Sequence, residues 1–226
     1  MTVTALVSGG KDSVYSAYLS ETQGWPVDEL VTLEPEDPDS MMFHTPNLSI
    51  VPLIAQAWGK SHRVVPVRGT GPEDEQAALA SAIQGPGVVV AGAVASSFQW
   101  ARLHRTAFAM GRRVFTPLWG KDPARVVAAE VAAGLDIRFV HLAAEPLPSS
   151  LLGEPLDAAA LELLQELGRN RAPVHVAGEG GEFETVVLDA PFFRQRIVLD
   201  EVEVRRTRDV SRLNIRRAHV APKEPR

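Results

Sequence analysis

The turn Ser8-Gly9-Gly10-Lys11-Asp12-Ser13 constrains this chain more than any other feature. It follows a β-branched apolar run, Val3 to Val7, and precedes a helical pattern, Val14 to Thr22. Two consecutive glycines let the backbone come close to an anion, and the start of a helix adds positive potential at the same spot. Ser8 and Ser13 bring hydroxyl donors there, and Lys11 brings a mobile cation. A strand and helix joined by so short a turn form half of a βαβ unit, which requires a parallel neighbouring strand. The residues up to about 112 supply several. Glu29 to Leu33, His62 to Val67 and the wholly apolar Gly87 to Gly92 read as strands, with helical patterns between them at Leu48 to Trp58, after Pro72 and at Ser97 to Met110. An apolar run with no polar face is the mark of a central strand covered on both sides. The expected fold is therefore α/β, a doubly wound parallel sheet with its ligand at the carboxyl ends of the strands.

Beyond that point the texture changes. Asp122-Pro123 and Asp157 are start signals for helices at Ala124 to Ala133 and Ala158 to Leu167, and after residue 173 the pattern is all strand: Glu184 to Leu188, Arg196 to Val204 and Leu213 to Val220. The expected division is an α/β domain over 1–112 and a smaller α+β domain over 113–226. The net charge of −5 argues against a basic nucleic-acid binder, yet it is uneven. Residues 194–226 hold ten Lys/Arg against five Asp/Glu, which leaves a body of −10 and a tail of +5, solvated strand surface or a docking face for an acidic or RNA-rich partner. No run is long and apolar enough for a membrane span, and no basic leader precedes a cleavage site, so the expected location is cytoplasmic. The absence of cysteine removes disulfides, thiolate metal sites and cysteine nucleophiles.

The turn lacks the spacing of a Walker A loop and of G-x-G-x-x-G. It resembles the SGGKDS loop of the PP-loop ATP pyrophosphatases, which split ATP between the α- and β-phosphates. A second segment, Gly178-Glu179-Gly180-Gly181-Glu182-Phe183-Glu184-Thr185, sets three carboxylates within six residues on a glycine-rich turn. Alone it suits a cation, an amine or solvent. With the first loop it resembles the diphthine–ammonia ligase family. Further similarities lie at Met42-Phe43-His44 with Asn47, Gly92-Ala93-Val94 with Ser96, Gln99 with Arg102, Pro117-Leu118-Trp119 and Leu152-Gly153, so the resemblance spans residues 1–195. Phe98 and His104 stand where the family usually has Tyr and Glu.

The resemblance implies an adenine-nucleotide α-hydrolase fold and a carbon–nitrogen ligase using ATP and magnesium. ATP would adenylylate the carboxylate of diphthine on the translation elongation factor, and ammonia would then displace AMP. Without cysteine, a built-in glutaminase and persulfide chemistry are both excluded, so ammonia must arrive free or from a separate donor protein. The implied ATP site is Ser8, Gly9, Gly10, Lys11, Asp12, Ser13, His44, Asn47, Gly92 and Ala93, with Asp12 as a magnesium ligand. Lys11, Asp12, His44 and Glu182 are the expected catalytic residues. Gln99, Arg102, Trp119, Glu179, Glu182 and Glu184 are the expected substrate contacts, an aromatic face and an anionic wall suiting diphthine's trimethylammonium group. Two other readings stay open: the same chemistry on a small carboxylate in cobalamin-related salvage, or a nucleotide-binding regulator without turnover. Partners at a membrane or on nucleic acid are not expected, and a homo-oligomer is compatible with the sequence.

Overall fold

The computed structural model describes residues 1–36, 47–143, 147–169 and 174–223. The first half alternates strand and helix: β1 (Thr2–Leu6), α1 (Lys11–Thr22), β2 (Glu29–Pro35), α2 (Val51–Trp58), β3 (Ser61–Val67), α3 (Pro72–Ala82), β4 (Gly87–Val90), α4 (Ser97–Ala109) and β5 (Arg113–Phe115). These strands form one parallel sheet in the order β3-β2-β1-β4-β5. The chain winds outward from β1 to β3, then crosses to β4 on the other side of β1. The loops after β1 and β4 diverge at that switch point and leave a crevice between them.

Both faces of this sheet are covered, which explains the unbroken apolar run of β4. Val89 packs with Val31, Leu33, Leu79 and Leu103, in the core beneath α3 and α4. Val88 and Val90, pointing the opposite way, join Val3, Ala5 and Val14 in a larger core that continues into the second half through Val127, Phe139, Leu164 and Val187. The caps expected at Asp122 and Asp157 are in place, and Ser96 adds a third. Ser96 accepts from the Gln99 amide at 3.4 Å, Asp122 from Arg125 at 2.9 Å and Asp157 from Ala160 at 2.9 Å, each meeting an amide that the first helical turn leaves unpaired.

The second half contains α5 (Pro123–Ala132), β6 (Asp136–Leu142), α6 (Ala158–Leu167), β7 (Phe183–Asp189), β8 (Gln195–Arg206) and β9 (Ser211–Pro222). Its sheet is antiparallel, in the order β7-β6-β9-β8. Two strands are additions to the sequence reading. β5 is only three residues long, and β6 mixes Asp136, Arg138 and His141 with Ile137, Phe139, Val140 and Leu142, a pattern with neither clean alternation nor a helical period. The basic tail forms the long β8–β9 hairpin. Glu203 pairs there with Arg205 at 2.7 Å and with Arg216, and these two guanidinium groups hold its carboxyl below the usual carboxylate range. Among the described residues no helix is long and apolar enough to cross a membrane.

Candidate active site

The glycine turn sits at the crevice and is gripped from the second half. Gly9 takes φ +85°, a conformation that costs glycine nothing, and a Cβ there would meet Ile50 at 2.9 Å. The Gly9 carbonyl accepts from the Val187 amide at 3.0 Å, and the Lys11 amide donates to the Thr185 hydroxyl at 3.3 Å. Strand β7 thus places the acidic segment against the loop. Inside the loop, Ser13 Oγ donates to the Gly10 carbonyl at 2.9 Å and accepts from the Ser8 amide at 3.2 Å. Across the crevice, the chain after β4 comes so close that a Cβ on Gly92 would lie 2.6 Å from the Asp12 carbonyl carbon.

A single cavity runs through this junction. Ser8, Lys11, Asp12, Ser13 and Thr185 form a polar end, and Glu179 and Glu184 stand beside them. Val31, Leu33, Leu79 and Leu103 form an apolar end, with Gly92, Ala93 and Gln99 between. Such a cavity suits a ligand with a polar part and an apolar part.

The electrostatic centre is Lys11, which is only 1% exposed. Its Nζ lies 2.6 Å from Asp12 Oδ2 and 3.9 Å from Glu130 Oε2. Burial pulls the ammonium toward deprotonation, but Asp12, Glu130 and Glu179 more than offset it, so its pKa stands above the ordinary lysine value. Glu130 is pushed well above the usual carboxylate range, first by burial and then by Asp12 and Glu179, with Lys11 opposing. Neither Glu130 oxygen nor Asp12 Oδ1 meets an N–H or hydroxyl donor in the structure.

The structure gathers Ser8, Gly10, Lys11, Asp12, Ser13, Gly92, Ala93, Gln99, Glu179 and Glu184 around one cavity. It places other expected residues elsewhere. The Asn47 carboxamide lies on β9, accepting from the Ile215 amide at 2.8 Å and donating to the Leu213 carbonyl at 2.9 Å. Glu182 closes its own turn, accepting from the His175 and Gly180 amides, each at 2.9 Å. Arg102 lies 3.6 Å from Glu75 and over the Phe98 ring, and donates to the Pro72 carbonyl. Trp119 stacks on Trp100, which stacks in turn on His104. Burial lowers the pKa of that histidine. His44, with Met42 and Phe43, lies outside the described residues.

Two residues escaped the sequence reading. Thr185 stood in the acidic motif without a role, and Glu130 stood in α5 without notice. The signal for Glu130 was present: it is the one acid in the otherwise apolar run Val126 to Ala133. Among the described residues no three acids or histidines are grouped to hold a metal. Asp12, at the cavity with Oδ1 unpartnered, fits magnesium held by one carboxylate and by phosphate oxygens rather than by a protein cage.

Fold and site together define a doubly wound α/β protein with a glycine-rich turn at its switch point and an acidic segment packed against it. Residues 1–114 match the model of the diphthamide synthase N-terminal domain, and residues 122–220 that of its C-terminal domain. The chain is 31% identical over 227 residues to diphthine–ammonia ligase of Danio rerio, covering 90% of this chain and 88% of that protein. It is likewise 31% identical over 228 residues to the Bos taurus protein of the same name, covering 90% and 85%. A longer relative from Schizosaccharomyces pombe is 31% identical over 225 residues, and the chain spans 37% of its length. A solved structure, described as a predicted subunit of tRNA methyltransferase from Methanocaldococcus jannaschii, aligns at TM-score 0.46 and 16% identity over 84% of this chain and 98% of that one, a likeness too loose to bear on function. The chain belongs to the diphthamide synthase family, whose relatives carry the name of a carbon–nitrogen ligase.

Proposed function

We propose that this protein is an AMP- and pyrophosphate-forming amide ligase that adenylylates the carboxylate of diphthine on the translation elongation factor for attack by ammonia. One observation carries the reading: the SGGKDS turn and the GEGGEFET segment, far apart in sequence, share one cavity with an anionic-ligand end and an apolar end. In the first step a carboxylate oxygen attacks the α-phosphorus, the bond to the bridging oxygen breaks and pyrophosphate departs. In the second, ammonia attacks the acyl carbon, the bond to AMP breaks and the nitrogen loses a proton.

Charge grows on the departing phosphates, so donors fixed at that position lower the barrier more than they tighten ground-state binding. Ser8, Gly9, Gly10, Lys11 and Ser13 supply those donors. The apolar end, with Gly92, Ala93 and Gln99, receives the base and sugar. Glu179 and Glu184 form the anionic wall for a trimethylammonium group. Asp12 would hold magnesium, which neutralises phosphate charge when bound. On this reading residues 1–112 are the nucleotide domain and 113–226 the substrate-side domain.

The test is release of AMP and pyrophosphate from ATP and ammonium with three acceptors: diphthine-bearing elongation factor, unmodified factor and small carboxylates. The expected result is release with the first alone, strongly reduced but measurable in Lys11→Ala. Release with a small carboxylate alone would move the substrate assignment, and Lys11→Ala with parental release would overturn the role of the turn.

A further inference from the structure

Glu130 is a buried ionisable group for which the proposed reaction has no use. It lies on the face of α5 shared with Val126 and Val127 and is 0% exposed. Leucine would fill such a position at no electrostatic cost. A carboxyl there loses its hydration and finds no N–H or hydroxyl donor in return. Its neighbours are the two charged side chains of the glycine turn, with Lys11 Nζ at 3.9 Å and the Asp12 side chain beside it.

We infer that Glu130 is a positioning residue: it holds the Lys11 ammonium and the Asp12 carboxylate in the arrangement that meets the nucleotide phosphates. The inference rests on the ligase reading and deepens it. Lysine carries a point charge on a flexible stem of four carbons, so one partner on the adjacent residue cannot fix where that charge sits. Asp12 is that one partner, and it is also the residue expected to turn toward a bound cation. A second carboxyl, rooted in a packed helix of the other half, sets the distance. Three points of the turn are then gripped by the second half: the Gly9 carbonyl by Val187, the Lys11 amide by Thr185 and the Lys11 ammonium by Glu130. The third grip acts on the group that touches the leaving phosphates.

Glu130→Leu and Glu130→Gln test this. A carboxamide can donate to Asp12 and accept from Lys11, so the glutamine variant should keep most of the function. The leucine variant removes a desolvated carboxyl but leaves the buried Lys11 ammonium with Asp12 alone, so its stability is read by urea unfolding and its activity is expressed per folded molecule. It should nevertheless lose about 30-fold in kcat/KM for ATP, approaching the ~100-fold that misplacement by about 1 Å costs. Direct titration with ATP, without acceptor, should show weakened binding. If Glu130 acts through Lys11, Glu130→Leu added to Lys11→Ala should cost nothing further. Glu130→Leu within about three-fold of the parent in kcat/KM per folded molecule would overturn the inference, as would losses that multiply in the double variant. Lys11→Ala without effect would instead overturn the role of the glycine turn, on which the inference rests.

Discussion

Gly92→Ala should disable the site through one methyl group. Gly92 is required for space and not for backbone conformation, since it is absent from the glycines with positive φ. A Cβ there would lie 2.6 Å from the carbonyl carbon of Asp12 and 2.7 Å from both its oxygen and the Ser13 amide nitrogen. Ordinary contact begins near 3.4 Å, so about 0.8 Å of separation must be gained. All three obstacles are backbone atoms of the first turn of α1, so no rotamer change relieves the clash. The β4–α4 connection must move away from the glycine turn, widening the cavity between them. Overpacking of this kind costs about 1–3 kcal/mol of stability. The functional loss should be larger in proportion, because productive geometry tolerates only ~0.5 Å and a displacement near 1 Å costs about 100-fold in rate. Urea unfolding measures the first quantity, and ATP-dependent AMP formation per folded molecule the second. Gly111→Ala is the control: it has open space but φ +66°, and should cost ~1 kcal/mol with no change in KM for ATP. Gly92→Ala with stability within about 0.5 kcal/mol and KM within three-fold of the parent would refute the steric reasoning.

Three further outcomes follow from individual side chains. Thr185→Val removes the acceptor of the Lys11 amide without changing volume, and should weaken ATP binding about ten-fold, equivalent to ~1.4 kcal/mol, by titration calorimetry. Arg112, 5% exposed, donates to the carbonyls of Ile83, Gln84 and Val88 and to the Thr4 hydroxyl, so Arg112→Met should cost about 3–5 kcal/mol in denaturant unfolding. Asn47→Ala gives up two hydrogen bonds to β9 and the left-handed conformation that asparagine tolerates at φ 56°, and should cost ~2–3 kcal/mol. Because its carboxamide is spent on β9, KM for ATP measured on the folded Asn47→Ala enzyme should change by less than about two-fold.

What the sequence determined by itself was local. The Ser8 to Ser13 turn, the caps at Asp122 and Asp157 and the uniform apolarity of β4 each depend on residues within a few positions, through backbone conformation, unpaired amides and periodicity. They led to the parallel sheet, and the paired glycine motifs led to the family. Tertiary structure alone decided where charge and hydrogen bonds end up. Asn47 looked like a nucleotide contact by its place after β2, yet its two partners lie more than 160 residues away on β9. Glu182 looked like a free acid among glycines, yet both its oxygens are taken by amides of its own turn. Glu130 went unnoticed as a single acid in a helical run, and only the packing of α5 near α1 removes its water and sets it beside Lys11. Propensity and period act between neighbours along the chain. Desolvation and ion pairing act between neighbours in space, and those are chosen only when the two halves close on one another.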